Sequence, residues 1–211
     1  MDTLDDLTAL PDGAVTSPAA RRNADAILGA LCIHLPARGS LLEVASGSGE
    51  HATAFAAALP GLEWTPSDPS ENARASIAAW SRHAALANLR PALALDAADP
   101  ATWPARGYDA LFCANMIHIS PWSAAQGLMK MAEGVLRNPG GLLVLYGPYK
   151  EAETPLAPSN ATFDAGLKAR NAAWGLRDRA DVEALARSHG LAATRRVEMP
   201  ANNLMLLFRR V

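Results

Sequence analysis

Seven strand-like stretches alternating with helical ones, a glycine-bearing turn after the first of them, and a short link between the last two predict an open α/β fold. The sheet should be mostly parallel, flanked by helices, and finished by an antiparallel hairpin. Alternation argues for parallel order, because a parallel crossover needs about a dozen residues or more and a helix fills it. The link Glu198-Met199-Pro200-Ala201-Asn202-Asn203 is too short for that, so Leu191 to Val197 and Leu204 to Val211 should pair antiparallel.

Composition bounds the class. A chain of 211 residues suits one well-buried domain, and 50% hydrophobic with 19% charged residues fits a soluble globular protein. Residues 1–16 carry Pro11, Asp12 and Gly13 without periodicity and are expected to be a flexible arm before a single domain over 17–211. A net charge of -2, with Arg21-Arg22, Arg195-Arg196 and Arg209-Arg210 as isolated pairs, gives no footprint for nucleic acid. The acidic start Met1-Asp2-Thr3-Leu4-Asp5-Asp6 is unlike a basic leader, and no apolar run approaches the roughly 20 residues that span a bilayer. A cytoplasmic location without membrane contact is the expectation. Cys32 and Cys113 sit in apolar stretches without metal-ligand neighbours, so no metal is expected.

The elements follow in order. Ser17-Pro18 reads as an N-cap followed by proline at the first helical position, and Ile27, Leu28, Leu31, Cys32 and Leu35 share one face before Pro36. Ser40 to Val44 is a buried strand that runs through Ser46, Gly47 and Gly49 into a helix from about Glu50 to Pro60-Gly61. Leu62 to Ser67 forms the second strand and delivers Asp68. The next helix, marked by Ala73, Ile77 and Trp80, runs to about Ala87, and Ala92 to Leu95 is its following strand. Tyr108 to Ala114 is a strong buried-strand signal that empties into Asn115-Met116-Ile117-His118-Ile119. A helix from Pro121 ends at Asn138-Pro139-Gly140-Gly141, and Leu142 to Tyr146 forms a strand. The polar stretch through Asn160 is a candidate loop or lid, Phe163, Leu167 and Ala172 mark a short helix, and Asp178 caps a helix to His189.

The turn carries the chemistry. Gly47 and Gly49 can take positive φ and let a ligand approach the backbone, while the helix behind them presents free N–H groups. Gly47-x-Gly49-x-x-Ala52 also satisfies a dinucleotide fingerprint, with Asp68 about 20 residues further on to meet ribose hydroxyls. Glu43 separates the two ligands: a carboxylate in an apolar strand end needs a partner, which an ammonium-bearing ligand supplies and a pyrophosphate does not. A ligand with an amino-acid end, a ribose and a purine fits, and S-adenosylmethionine has those parts. Asp68, followed by Pro69-Ser70, has the alternative of being a helix cap.

Glu43-x-Ala45-x-Gly47-x-Gly49 resembles the first motif of the class I methyltransferases, with alanine in place of their first glycine. Together with Trp64-x-Pro66-Ser67-Asp68, Tyr146-Gly147-Pro148-Tyr149, Arg170-Asn171, Trp174-Gly175-Leu176-Arg177-Asp178 and Met199-Pro200-Ala201-Asn202-Asn203, it resembles the methyltransferase-like protein 26 family, long catalogued as a domain of unknown function. The resemblance runs from about Arg21 to the C-terminus. It implies a Rossmann-like class I methyltransferase fold with a seven-stranded sheet and S-adenosylmethionine as cofactor. On that resemblance Arg22 and Asn23 join the cofactor residues, although the polar side of the first helix also reads as a solvated face, and Asp96 and Ala97 read the adenine, although Asp96-Ala97-Ala98-Asp99-Pro100 also suits a plain turn.

Asn115 opens the loop where cofactor and substrate would meet. His118 suits a general base or a hydrogen-bond donor, since its ordinary pKa of about 6.5 allows both forms near neutrality. Tyr146 and Tyr149 join it as catalytic candidates; Arg170, Asn171, Trp174 and Asn202 are substrate candidates. Three of the last four have a structural alternative: Trp174 as core, Arg170 paired with Asp164 or Asp178, Asn202 as a turn former. The expected function is methyl transfer to a small-molecule acceptor, polar or carboxylated. The rivals are an NAD-linked oxidoreductase and a non-catalytic module that binds S-adenosylmethionine.

Overall fold

A computed structural model describes residues 12–211; residues 1–11 of the expected N-terminal arm lie outside the described residues. The chain forms two compact units, one reaching to Leu95 and one from Asp96 to Val211.

The first unit contains α1 (Pro18–His34), β1 (Gly39–Val44), α2 (Glu50–Ala58), β2 (Leu62–Pro66) and α3 (Glu71–Ala84). Ser17 caps α1 by accepting from the Ala20 amide, and Pro18 occupies the first turn, where its missing N–H costs nothing. Ile27 and Leu31 on its inner face are fully buried. β1 and β2 pair in parallel, from Gly39 opposite Leu62 to Glu43 opposite Pro66. Behind them Phe55 of α2 meets the Trp64 ring edge-on at 5.8 Å.

The strand expected at Ala92–Leu95 is not formed as a strand. The segment runs beside β2 through two isolated parallel bridges, Trp64 with Leu89 and Ser67 with Leu93. Three steps on β2 thus face four steps on its neighbour, and Pro91, which lacks an N–H, sits in the surplus. The described residues therefore hold six strands where seven are expected.

The second unit contains β3 (Ala110–Ala114), α4 (Trp122–Val135), β4 (Leu142–Gly147), α5 (Pro158–Arg170), α6 (Arg179–Ser188), β5 (Leu191–Met199) and β6 (Asn203–Arg210). β3 and β4 are parallel, from Ala110 opposite Leu142 to Ala114 opposite Tyr146. β6 returns antiparallel to β4, and β5 pairs antiparallel with β6, the expected hairpin. Every residue of β4 is buried, so its apolar run is continuous rather than alternating. At the hairpin tip, within the three-residue link 200–202, Ala201 and Asn202 both have positive φ, 57° and 56°.

α5 is longer than the expected short helix. It begins at Pro158, a residue pre-set for the first turn, inside the stretch read as loop. Its last turn ends with Asn171 as C-cap rather than extending to Ala172. Among the described residues no helix is long and apolar enough to cross a membrane.

Candidate functional site

In the first unit the strand end and the turn form one hydrogen-bonded knot. The Trp64 indole donates to the Glu43 carboxylate at 2.7 Å, and both residues are buried. Burial pushes the Glu43 pKa up to about 8, against the pull of Trp64 and Ser46. At neutral pH the group is therefore largely protonated, and its partner comes from the chain itself. This corrects the argument that Glu43 requires a ligand ammonium group and would repel a pyrophosphate. Its place at the end of β1 is as expected.

Ser46 accepts from the Ser67 amide at 3.1 Å, and the Ser67 hydroxyl donates to the Glu43 carbonyl at 2.7 Å. Asp68 accepts from the Gly47 amide at 3.0 Å and from the Ser70 amide at 2.9 Å. The cap of α3 is Ser70, whose hydroxyl accepts from Ala73, so Asp68 is free of that role and instead pins the glycine turn. The two glycines do different work. A Cβ at Gly47, with φ of 57°, would meet nothing within 4 Å, so this face of the turn is open. A Cβ at Gly49, with φ of 90°, would lie 2.9 Å from Ile77 Cα, so that glycine lets α2 close on α3. Ala45 stands at φ 58°, the left-handed region that glycine occupies without strain.

The N-terminal residues clasp the same turn. Glu50, in the first turn of α2, accepts from the Ser17 amide and from Arg21 Nε at 2.7 Å. The Val15 amide donates to Ser76 Oγ at 2.9 Å, and Ser76 Oγ donates to the Ser48 carbonyl at 2.7 Å. Trp80 Nε1 donates to the Val15 carbonyl at 3.1 Å. Of the two α1 residues expected at the cofactor, Asn23 meets His51 Nε2 at 2.9 Å and Arg22 is exposed. Gly49 offers α2 no side-chain cap, and the first amide, that of Glu50, has only a long 3.5 Å contact to Ser48 Oγ, beside the open face of Gly47.

In the second unit the loop after β3 turns sharply at Asn115, whose φ is 61°, a conformation asparagine tolerates. His118 ends the short 3₁₀ turn Met116–His118 and is fully buried. Its Nδ1 accepts a long bond, 3.4 Å, from the Arg177 amide, and its Nε2 has no hydrogen-bond partner. That arrangement leaves the ring proton on Nε2 and makes His118 a donor rather than a base. Burial first, then the Arg177 charge, lowers its pKa to about 3, so the ring is neutral.

Its edge meets the Tyr149 ring at 4.9 Å, and the Tyr149 hydroxyl, also buried, has no partner. Burial holds the Tyr149 phenol well above its ordinary value, so it too is a neutral donor. Gly147 permits this packing: a Cβ there would stand 2.6 Å from His118 Nε2. Tyr146 is buried within β4, in register with Ala114 and Met205.

The remaining candidates separate into three places. Asp96 accepts from the Ala98 amide at 2.8 Å and Ala97 is buried, the plain-turn arrangement. Arg170 lies over the Trp174 ring at 5.5 Å instead of pairing with Asp164 or Asp178, while Asn171 accepts from the Ala173 amide at 2.9 Å. Trp174 is half-buried rather than core. Asn202 forms the hairpin turn, and its carbonyl accepts from Asn160 Nδ2 at 3.0 Å. Tyr149, Asn160 and Asn202 line one cavity of about 380 Å³, together with the 154–157 segment and the hairpin end of β5 and β6. Of the catalytic and substrate candidates, only Tyr149 and Asn202 share it.

Sequence reasoning missed Arg177 as a structural hub. Its guanidinium donates to the carbonyls of Ile117, Ser120 and Ala173 at 2.9, 2.7 and 2.9 Å and lies over Trp122 at 5.5 Å. It also missed Glu151, held by Arg196 at 2.6 and 2.8 Å and by Arg179 at 2.7 Å. The available signal was the buried indole of Trp64 and the buried carboxylate of Glu43, two groups that each need a partner on neighbouring strands.

A family model described as "Protein of unknown function (DUF938)" matches residues 14–210. The structure resembles that of the mitomycin 7-O-methyltransferase MmcR, at 18% identity and a TM-score of 0.79 over 92% of this chain and 54% of that one. It resembles an O-methyltransferase family 2 protein from Planctomyces limnophilus in complex with apigenin, at 19% identity and a TM-score of 0.73 over 92% and 58%. A third is CalO1, a methyltransferase of calicheamicin biosynthesis in its SAH-bound form, at 16% identity and a TM-score of 0.71 over 92% and 55%. The chain thus has the α/β Rossmann-like methyltransferase fold and spans about half the length of these structures.

Proposed function

We propose, from the premise that the chain belongs to the family described as Protein of unknown function (DUF938), that it is an S-adenosylmethionine-dependent methyltransferase acting on a small-molecule acceptor. The observation that carries this reading is the turn at Gly47: its open face, its amide held by Asp68, and beside it a helix N-terminus whose first amide has only a long contact to Ser48 Oγ. These features fit a ligand that brings a carboxylate and a ribose. Further support comes from the fold shared with three methyltransferases and from the motifs resembling the methyltransferase-like protein 26 family.

In this reading Gly47, Gly49, Ser46 and Asp68 hold the cofactor, with Arg22 and Asn23 as further contacts. When bound, S-adenosylmethionine supplies an electrophilic methyl on a sulfonium, which needs no metal and no covalent enzyme intermediate. The chain's own part is to position and to exclude water. Glu43 acts through packing: protonated and bonded to Trp64, it fixes the end of β1 from which the turn departs. His118 and Tyr149 present neutral donors that orient an acceptor oxygen, and the acceptor's proton leaves to solvent or to the acceptor's own basic group.

Calorimetric titration with S-adenosylhomocysteine and NAD in parallel tests this. Micromolar binding of the first, about -8 kcal/mol, is expected, together with at least a tenfold loss in Asp68→Ala and in Gly47→Val, whose side chain would enter the open face. Unchanged binding in both variants would remove the site assignment; binding of NAD alone would replace the reading with an oxidoreductase.

A further inference from the structure

The cavity of about 380 Å³ in the second unit is built by three pieces of chain: the segment 151–157, the first turns of α5 and the tip of the β5–β6 hairpin. Its size lies within the range of small-ligand sites, and its wall is more polar than apolar. The tip is tied to α5, because Asn160 Nδ2 donates to the Asn202 carbonyl at 3.0 Å and Asn202 Nδ2 donates to Ser159 Oγ at 3.3 Å. The walls are therefore held by the chain itself.

The donors of the wall are engaged and its acceptors are not. Arg196 commits all three guanidinium nitrogens to acids: Nε and Nη2 donate to Glu151 at 2.8 and 2.6 Å, and Nη1 donates to Glu198 at 3.1 Å. The asparagines are the reverse case. Asn160 Nδ2 and Asn203 Nδ2 face the carbonyls of Asn202 and Pro200, the second at 2.9 Å. A carbonyl only accepts, so the nitrogen side of each carboxamide is fixed and its oxygen lies on the other side. Neither Oδ1 accepts a bond from the described residues. Asn160 is 7% exposed, yet its Oδ1 keeps some accessible surface, so a donor entering the cavity can reach it.

Charge points the same way. The lining holds two acids, Glu151 and Glu198, against one arginine, Arg196. The hydrogen bonds from Arg196 hold the Glu151 pKa below the ordinary carboxylate range, so that acid stays ionised. Glu198 gives one oxygen to Arg196, and its side chain is largely exposed. An entering carboxylate would meet no unengaged cation in this lining and a net negative wall, whereas an ammonium group would meet open acceptors and a favourable charge.

We infer that this cavity binds a small polar molecule through a protonated amine, which donates to Asn160 Oδ1 and rests against the negative charge of Glu151 and Glu198. Taking that molecule as the methyl acceptor rests on the methyltransferase reading; the binding itself does not. On that reading the ammonium is the anchor and not the methylated atom, because a protonated amine has no lone pair with which to attack a methyl group. The inference narrows the polar or carboxylated acceptor expected from the sequence to one that carries a cation.

The test uses three probes of one shape and different charge, benzylamine, benzyl alcohol and benzoate, followed near neutral pH by ligand-observed NMR and calorimetry on the full chain. Benzylamine, protonated there, should bind about fivefold more tightly than either of the others. Glu198→Lys changes an exposed side chain and should weaken benzylamine about fivefold while leaving benzyl alcohol unchanged. Asn160→Leu removes the open acceptor and should weaken benzylamine about tenfold; if that variant does not fold, Glu198→Lys decides alone. S-adenosylhomocysteine is titrated into the same samples. Benzylamine that fails to bind, that binds no more tightly than the other probes, or that is indifferent to Glu198→Lys or to a folded Asn160→Leu overturns the inference, and S-adenosylhomocysteine binding in those samples leaves the methyltransferase reading standing. Benzylamine preference lost in the variants, without S-adenosylhomocysteine binding, supports the cavity and removes the methyltransferase reading.

Discussion

The glycine turn of the first unit and the His118–Tyr149 region of the second handle buried polarity in opposite ways. At the turn Glu43 has Trp64, Asp68 has two backbone amides, and Ser46 and Ser67 bond across the strand ends. At His118 and Tyr149 a ring N–H and a phenol are buried with nothing to receive them. In the first region the groups of the turn itself are met by the chain, while the neighbouring Thr53 and Thr65 hydroxyls are buried without a partner, and an open face is left at Gly47. The second is unfinished. Donors left unmet in a buried region penalise any molecule that fails to meet them.

The two regions should also respond to pH with opposite slopes, which gives the largest effect by which to break the comparison. Glu43 is raised from an ordinary 4.5 to about 8. Between those values the unfolded chain has released a proton that the folded chain keeps, so its contribution is full below about pH 4.5 and is lost as pH rises through about 8. His118 is lowered from 6.5 to about 3. There the unfolded chain takes up a proton that the folded chain refuses, so stability is full above 6.5 and is lost as pH falls through about 3. Each shift is worth on the order of 4 kcal/mol. Urea unfolding across pH 3 to 9 should show Glu43→Gln flattening the alkaline limb and His118→Gln flattening the acid limb. A wild-type curve unchanged by both would mean that neither group titrates as its burial demands.

A smaller effect separates the two glycines. Gly49→Ala should cost about 2–3 kcal/mol, from positive φ and from crowding against Ile77. The same substitution at Gly47 meets no neighbour and should cost only the backbone conformation, on the order of 1 kcal/mol. Equal losses in denaturant titrations would erase the distinction between a glycine kept for packing and one kept for access. The smallest change sharpens it from the other side. Ala45 already carries the strained conformation, so Ala45→Gly should raise stability by roughly 0.5 kcal/mol, the relief exceeding the added flexibility of the unfolded chain.

Much of the fold was legible because it rests on short-range signals. Ser17-Pro18 marks α1, Gly47 and Gly49 mark the passage from β1 to α2, and the short link between the last two strands, three residues in the structure, forces an antiparallel return. What was not legible depends on register and distance. The pairing of Glu43 with Trp64 needs the alignment of two strands separated by a helix, so the carboxylate was assigned a ligand when the chain supplied an indole. The strand at Ala92–Leu95 had the right composition, but Pro91 shifts the pairing by one residue. Arg177 reaches carbonyls 57 and 60 residues away, which no local pattern announces. The glycine turn was readable because backbone conformation dictates glycine there; the cavity was not, because its walls come from segments about 45 residues apart that only the folded hairpin brings together.

The bridges beside β2 bear on a hazard common to sheet proteins. An outer strand with an unbroken row of amides and carbonyls is a template on which a second chain can add itself. Here the outermost segment is offset by one residue and carries a proline where a donor would stand. An incoming strand would find its ladder interrupted within a few residues, and Arg90, paired with Glu63, adds charge at the same place, so this border of the molecule resists edge-to-edge aggregation.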